Sequence, residues 1–184
     1  MPEISLFQLI PLAFFAFLAG FIDSIAGGGG LIQLPALLAV LPGAPVVMLL
    51  STNKLASCCG TGVAVYQYSK KVTDRNKEML PIALAAFCAA IGGALIATRV
   101  PNHWMRPLVT VLLALVLIYT LFKKDFGGLG AVQGLAPDRR KIWGVVAGLG
   151  IGLYDGFFGP GTGNFLILSL IFIYAMNFLQ ASAS

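Results

Sequence analysis

Two stretches of this sequence set a single carboxylate just ahead of closely spaced glycines. Asp23 precedes Gly27, Gly28, Gly29 and Gly30 in GFIDSIAGGGG, and Asp155 precedes Gly159, Gly161, Thr162, Gly163 and Asn164 in GLYDGFFGPGTGN. A third stretch, STNKLASCCGTG, sets Ser51, Thr52, Asn53 and Lys54 side by side in apolar surroundings. Consecutive glycines disfavour a helix by up to about 1 kcal/mol each relative to alanine, so both glycine stretches are expected to interrupt one, the first of them ended by Asp23. An interruption exposes backbone N–H groups at the start of the next helix, where anions bind. Hydroxyl, amide and ammonium donors are what a small oxyanion requires. A carboxylate within a membrane span belongs to a proton or ion pathway, or else caps the broken helix. The chemistry on offer is anion binding and proton movement.

The elements that must hold these residues are membrane helices. The chain has 184 residues, of which 58% are hydrophobic and 10% charged, far from the roughly 25% charged average of soluble domains. Ile4 to Ile22 and Met79 to Ala97 carry no charge, and each approaches the ~20 residues that cross ~30 Å of hydrocarbon. The first has only Glu3 before it and lacks the basic leader of a signal peptide, so it is read as a retained span. Pro107 to Phe122, Gly163 to Leu179 and, apart from Lys54, Val46 to Tyr68 are further candidates. Ile142 to Tyr154 is an apolar run that Asp155 is expected to stop, and Leu31 to Leu41 is about half a span before Pro42-Gly43-Ala44-Pro45. Six or seven membrane segments are expected, at least two of them irregular.

Lys70, Lys71, Arg75 and Lys77 mark one polar loop, Arg99 and Arg106 a second, and Lys123, Lys124, Arg139, Arg140 and Lys141 a third. The two richer loops are expected on the cytoplasmic side, two crossings apart. The net charge of +5 is explained by this topology, and no basic stripe with interleaved aromatics supports nucleic-acid binding. His103, beside Trp104, reads as an interfacial residue rather than a catalytic base or ligand. Cys58, Cys59 and Cys88 suggest neither a disulfide framework nor a zinc site, and no phosphate-binding loop of the nucleotide-hydrolysing type occurs. Neither an enzyme, a metal site nor a cofactor is expected.

The two carboxylate–glycine stretches match at one constant offset: Gly20 with Gly152, Asp23 with Asp155, Gly27 with Gly159 and Gly29 with Gly161. With only 7 acidic residues in the chain, the matched aspartates mark an internal repeat. Broken segments in corresponding positions of two repeats are the best pointer from sequence to a secondary transporter's binding site. Together GFIDSIAGGGG, STNKLASCCGTG and GLYDGFFGPGTG resemble the TauE/SafE, or sulfite exporter, family of membrane transporters, in particular its bacterial YfcA-like branch. The resemblance covers essentially the whole chain. It implies a duplicated helical permease of the bacterial inner membrane that exports sulfite, sulfonates or related organosulfur anions.

The expected fold is all-α and polytopic, with two internal repeats and glycine-broken helices. It forms a single transmembrane domain: a first repeat over about 1–122, a loop over 123–141 and an incomplete second repeat over about 142–184. Gly27 to Gly30, Ser51 to Lys54, Gly159, Gly161, Thr162, Gly163 and Asn164 are the candidate substrate-binding residues, with Asp23 and Asp155 as candidates for proton coupling or gating. The competing readings are a packing or turn role for the glycines, helix capping by the aspartates, and for Lys54 either snorkelling to the headgroups or pairing with Asp23. Gly144, Gly148, Gly152 and Gly156, spaced by four, read as a helix-packing face. The expected partners are the bilayer, a small anion and protons, with homo-oligomerisation open. The rival class is a membrane scaffold using those glycine faces for assembly, and a passive anion channel is a third reading. The N-terminal arm lacks Lys and Arg, which favours its lying outside and the repeats being inverted. The counterpart of STNKLASCCGTG would begin at the last residues before Ser184, so about 60–80 further residues, two or three spans, are expected in the coding sequence.

Overall fold

The computed structural model describes residues 5–26, 28–69, 79–122 and 136–175. Among them lie seven α-helices: α1 (Leu6–Ala26), α2 (Gly30–Val40), α3 (Val46–Ser69), α4 (Met79–Arg99), α5 (Asn102–Phe122), α6 (Pro137–Phe157) and α7 (Thr162–Tyr174). Three have membrane-spanning stretches by length and apolarity, Leu6–Ser24, Met79–Arg99 and Asn102–Thr120. By contrast α2 and α7, with 11 and 13 residues, reach only about 16 and 20 Å at 1.5 Å per residue. Gly27, Lys70, Lys71, Arg75, Lys77, Lys123, Lys124 and residues 176–184 lie outside the described residues.

Four boundaries differ from the sequence expectation, one of them the end of α7, which stops at Tyr174 where Ala175 turns left-handed (φ 54°) instead of running on to Leu179. α1 continues past Asp23 to Ala26, because a single carboxylate does not end a helix and the glycines begin only at Gly27. α5 starts at Asn102, since the Pro101 carbonyl accepts the N–H groups of Trp104 and Met105 (3.0 and 3.1 Å) and closes a first turn. α6 runs from Pro137 through Asp155 to Phe157. Arg139, Arg140 and Lys141 therefore ride on its first turns instead of a loop.

The helix–break–helix units form two hairpins of opposite direction. Gln8 Nε2 near the start of α1 donates to the Val40 carbonyl at the end of α2 (3.3 Å). The Tyr174 hydroxyl at the end of α7 donates to the Arg140 carbonyl at the start of α6 (3.4 Å). α4 and α6 run parallel, with Gly148 on Ile82, Gly152 on Ala86 and Gly156 on Ala90, so the open end of the α6–α7 hairpin lies on the face where α4 begins. The open end of the α1–α2 hairpin lies on the other face. There a short turn joins α2 to α3, and Asn102 Oδ1 at the start of α5 accepts the Val46 N–H at the start of α3 (2.9 Å).

The α4–α6 seam is the most extensive helix contact among the described residues. A side chain at Gly152 or Gly156 would run into the Ala86 or Ala90 carbonyl, so the four-residue glycine spacing is used for backbone-to-backbone packing within the chain. Leu34, Leu49, Val46, Met105, Val109 and Phe158 form one core joining α2, α3, α5 and the second break. Ile82 with Leu170, Ile171, Ile173 and Tyr174 forms another between α4 and α7. Phe7, Phe14, Phe17 and Phe21 on α1 and Phe87 and Leu95 on α4 face outward, as lipid-facing residues do.

Candidate functional site

Each break turns on glycines in the left-handed region, Gly28 (φ 87°) in the first, Gly159 (φ 94°) and Gly161 (φ 82°) in the second, a conformation L-residues rarely adopt. The two breaks touch. A Cβ at Gly30 would stand 3.5 Å from Pro160 Cα and 3.2 Å from Asn53 Nδ2. Hairpins entering from opposite faces thus meet tip to tip, with α3 passing beside them.

The matched carboxylates do different things at this meeting point. Asp23 Oδ1 accepts the Gly29 N–H at 2.7 Å, capping the backbone of its own break. Asp155 instead pairs with Lys54 of α3, whose Nζ lies 3.0 Å from Oδ2 and also donates to the Asp155 carbonyl. Pairing of Lys54 with Asp23, open on the sequence, is corrected to pairing with Asp155. α3 carries Lys54 past the second break, while Asp23 is already committed to Gly29.

The four polar residues of α3 do not act as one set. At about 100° per residue they fan around the helix, and only the pair three apart shares a face. Ser51 and Lys54 line a cavity of about 100 Å³ together with Thr98, Gly156, Phe157 and Phe158. Asn53 points into the protein, 6% exposed, and its Oδ1 has no hydrogen-bond partner. Ser51 and Thr52 donate their hydroxyl protons back to the Val47 and Met48 carbonyls (2.8 and 2.9 Å), and Thr98 donates to Leu95 (2.8 Å). That leaves the Lys54 ammonium as the cationic donor on the cavity wall. The cavity extends from the ion pair toward Val47 and Thr98, the start of α3 and the end of α4, hence toward the face where the α1–α2 hairpin opens.

The remaining candidates surround the second break. Gly159 lies beside the Lys54 stem, a Cβ there standing 3.7 Å from Cε. Gly161 packs under Val116, where a Cβ would come within 2.8 Å of Cγ1. Thr162 Oγ1 donates to the Gly159 carbonyl. Gly163 and Asn164 sit on the first turn of α7. Gly28, Gly29 and Gly30 build the first break and are not among the cavity's lining residues. Sequence reasoning missed Thr98, Phe157 and Phe158. The two phenylalanines lie within the GLYDGFFGPGT motif, whereas Thr98 is brought in by packing of α4 and no local signal marks it.

The model of the family described as sulfite exporter TauE/SafE matches residues 12–184. The probable membrane transporter protein ORF9 of Sinorhizobium sp is 39% identical over 178 residues, 96% of this chain and 66% of that protein. The probable membrane transporter protein YfcA of Escherichia coli K12 is 36% identical over 190 residues, 97% and 66% of the two chains. A probable membrane transporter protein of Haemophilus influenzae is 33% identical over 167 residues, 91% and 64%. The chain thus spans about two thirds of the length of these relatives. No solved structure matches it. With its membrane-length helices, this is a multi-pass protein of the bacterial inner membrane, and it belongs to the TauE/SafE sulfite exporter family.

Proposed function

We propose that this protein is a secondary transporter for a small oxyanion, sulfite or an organosulfonate, which binds at Lys54 beside the second glycine break. The observation that carries the reading is the Lys54 ammonium on the wall of a cavity between α3, α4 and the second glycine break. A charged lysine inside a span costs about 2.5–3.5 kcal/mol and is kept where it serves a pathway. Gly159, in the turn that leads into α7, lies beside the Lys54 stem, and helix starts carry backbone dipoles of the sign an anion requires. The family description supports sulfur oxyanions as the class and export as the direction. Of the two candidate proton carriers, Asp155 stands beside Lys54, whereas Asp23 is bonded to Gly29.

The scaffold reading loses its support, because Gly148, Gly152 and Gly156 are covered by α4 of the same chain. Uptake of radiolabelled sulfite or taurine into proteoliposomes tests the proposal. Lys54→Ala should lower flux about 10–100-fold, the equivalent of one charge-assisted hydrogen bond of ~1.5–3 kcal/mol. Flux equal to wild type in that variant would remove Lys54 from the site, and absence of flux for every oxyanion tried would end the transporter reading.

A further inference from the structure

We infer that Asp155 is a resident counter-ion that the transported anion displaces from Lys54, and that the displaced carboxylate takes one proton from solution, so that each anion bound brings one proton. The inference rests on the anion-transport reading above and assigns its coupling.

The Lys54 ammonium has three N–H donors. One goes to Asp155 Oδ2 and one to the Asp155 carbonyl, which leaves the third for the cavity. While the carboxylate stays, the lysine's charge is neutralised and a second anion would meet a like charge within a few ångströms. Tight binding therefore requires that the carboxylate's charge be removed.

Asp155 can let go without undoing the fold. The second break is held by other bonds: the Phe158 and Gly159 N–H groups to the Tyr154 carbonyl (2.8 and 3.3 Å), and the Tyr154 hydroxyl to the Pro160 carbonyl (2.9 Å). Thr162 N–H adds a bond to the Gly159 carbonyl (3.1 Å). Asp23 has no such freedom, because its carboxylate is itself the bond that holds Gly29.

A displaced Asp155 finds no second cation among the described residues packed around it. α4 presents Ala90 and Gly93 there; its titratable side chains are Cys88, which faces outward, and Arg99 at its far end. α7 carries only Tyr174, at the opposite end beside Arg140; α3 adds Cys58 and Cys59, both exposed, and α5 adds Tyr119 against Phe165, with His103 and Arg106 on its first turns, Arg106 bonded to Pro42. On α6 the neighbouring Tyr154 is bonded to Pro160, and the first break brings only the committed Asp23. An unpaired carboxylate at this depth is costly, and protonation removes the cost. Lys54 and Gly156, the ion-pair partner and the chain neighbour of Asp155, both line the cavity, which is the route by which a proton reaches Asp155.

Protonating Asp155 frees Lys54, so anion binding is tighter at lower pH, by up to about tenfold per pH unit for one linked proton. The cycle is reversible, and the gradients of anion and proton set its direction.

The test uses the protein in proteoliposomes with a trapped pH indicator and methanesulfonate as probe, since a sulfonate is the anion of a strong acid and carries no proton of its own to confuse the count. Wild type should move one proton per sulfonate, with half-saturation falling as pH falls. Asp155→Asn should bind sulfonate more tightly, without pH dependence, and should exchange labelled for unlabelled sulfonate while moving no protons. Asp23→Asn should keep coupling. Sulfonate flux without protons in wild type, or proton coupling retained in Asp155→Asn, would overturn the inference and leave anion transport standing. No flux of methanesulfonate, sulfite or taurine in wild type would instead sink the transporter reading and this inference with it. Should Asp155→Asn fail to insert, the wild-type proton count together with retained coupling in Asp155→Glu decides.

Discussion

The first and second glycine breaks are written with the same motif and used differently. In the first, Asp23 holds Gly29 and the turn is closed by its own carboxylate. In the second, the tyrosine one residue ahead of Asp155 closes the turn with its carbonyl and hydroxyl, and Asp155 is turned to Lys54. Relieving the carboxylate of its structural duty is what makes it available for chemistry. The neighbourhood differs as well: Gly152 is pressed on the Ala86 backbone, whereas its repeat counterpart Gly20 has nothing within 4 Å of where a Cβ would be.

That last contrast carries the largest expected effect. Gly152→Ala should destabilise the protein by about 1–3 kcal/mol or prevent its insertion, as overpacking does. Gly20→Ala should be neutral or stabilising by up to about 1 kcal/mol, since alanine is the better helix former. Thermal unfolding in detergent of the two matched variants measures this, and equal midpoints would show that the α4–α6 seam yields.

The carboxylates come next. Asp23→Ala should cost about 1–2 kcal/mol of stability, the range for losing a cap to backbone N–H, while Asp23→Asn keeps an acceptor and should cost much less. Asp155→Asn should leave the melting temperature closer to wild type than Asp23→Ala does, because the second break is held by the bonds of Tyr154 and not by its carboxylate. The reverse order of melting temperatures would mean that the two breaks share one structural device after all.

An effect smaller than that of Asp23→Ala is expected at Tyr154→Phe, which removes the hydroxyl bond to Pro160 for about 0.5–1.5 kcal/mol. Its value is diagnostic. If the second break is held by Tyr154, this variant should lower stability and leave the proton-to-anion ratio unchanged, whereas a changed ratio would implicate the tyrosine in the proton path.

How much of this was legible depended on the range of the interaction involved. The breaks at Gly28–Gly30 and Gly159–Gly161 were readable because glycine acts on its own backbone. The packing role of Gly144, Gly148, Gly152 and Gly156 was readable because a spacing of four puts residues on one helix face. Lys54 was marked by its charge in an apolar span, but its partner was not, since Asp23 and Asp155 present the same side chain in the same motif. Ser51 to Lys54 looked like a cluster of donors in the linear sequence, and helical geometry dispersed it.

By itself, then, the sequence determined a helical membrane protein, the places where its helices break and the repetition of the break. These follow from hydropathy and backbone propensity, which act within a few residues of their source. Only the tertiary structure decided that the tips of the hairpins meet beside Asn53, that Thr98 joins Ser51 and Lys54 around a cavity, and that Lys54 takes Asp155. Those outcomes depend on which helix passes which break, and that is settled by how α3 packs on α2 and α5 and how α4 packs on α6, between residues far apart in the chain.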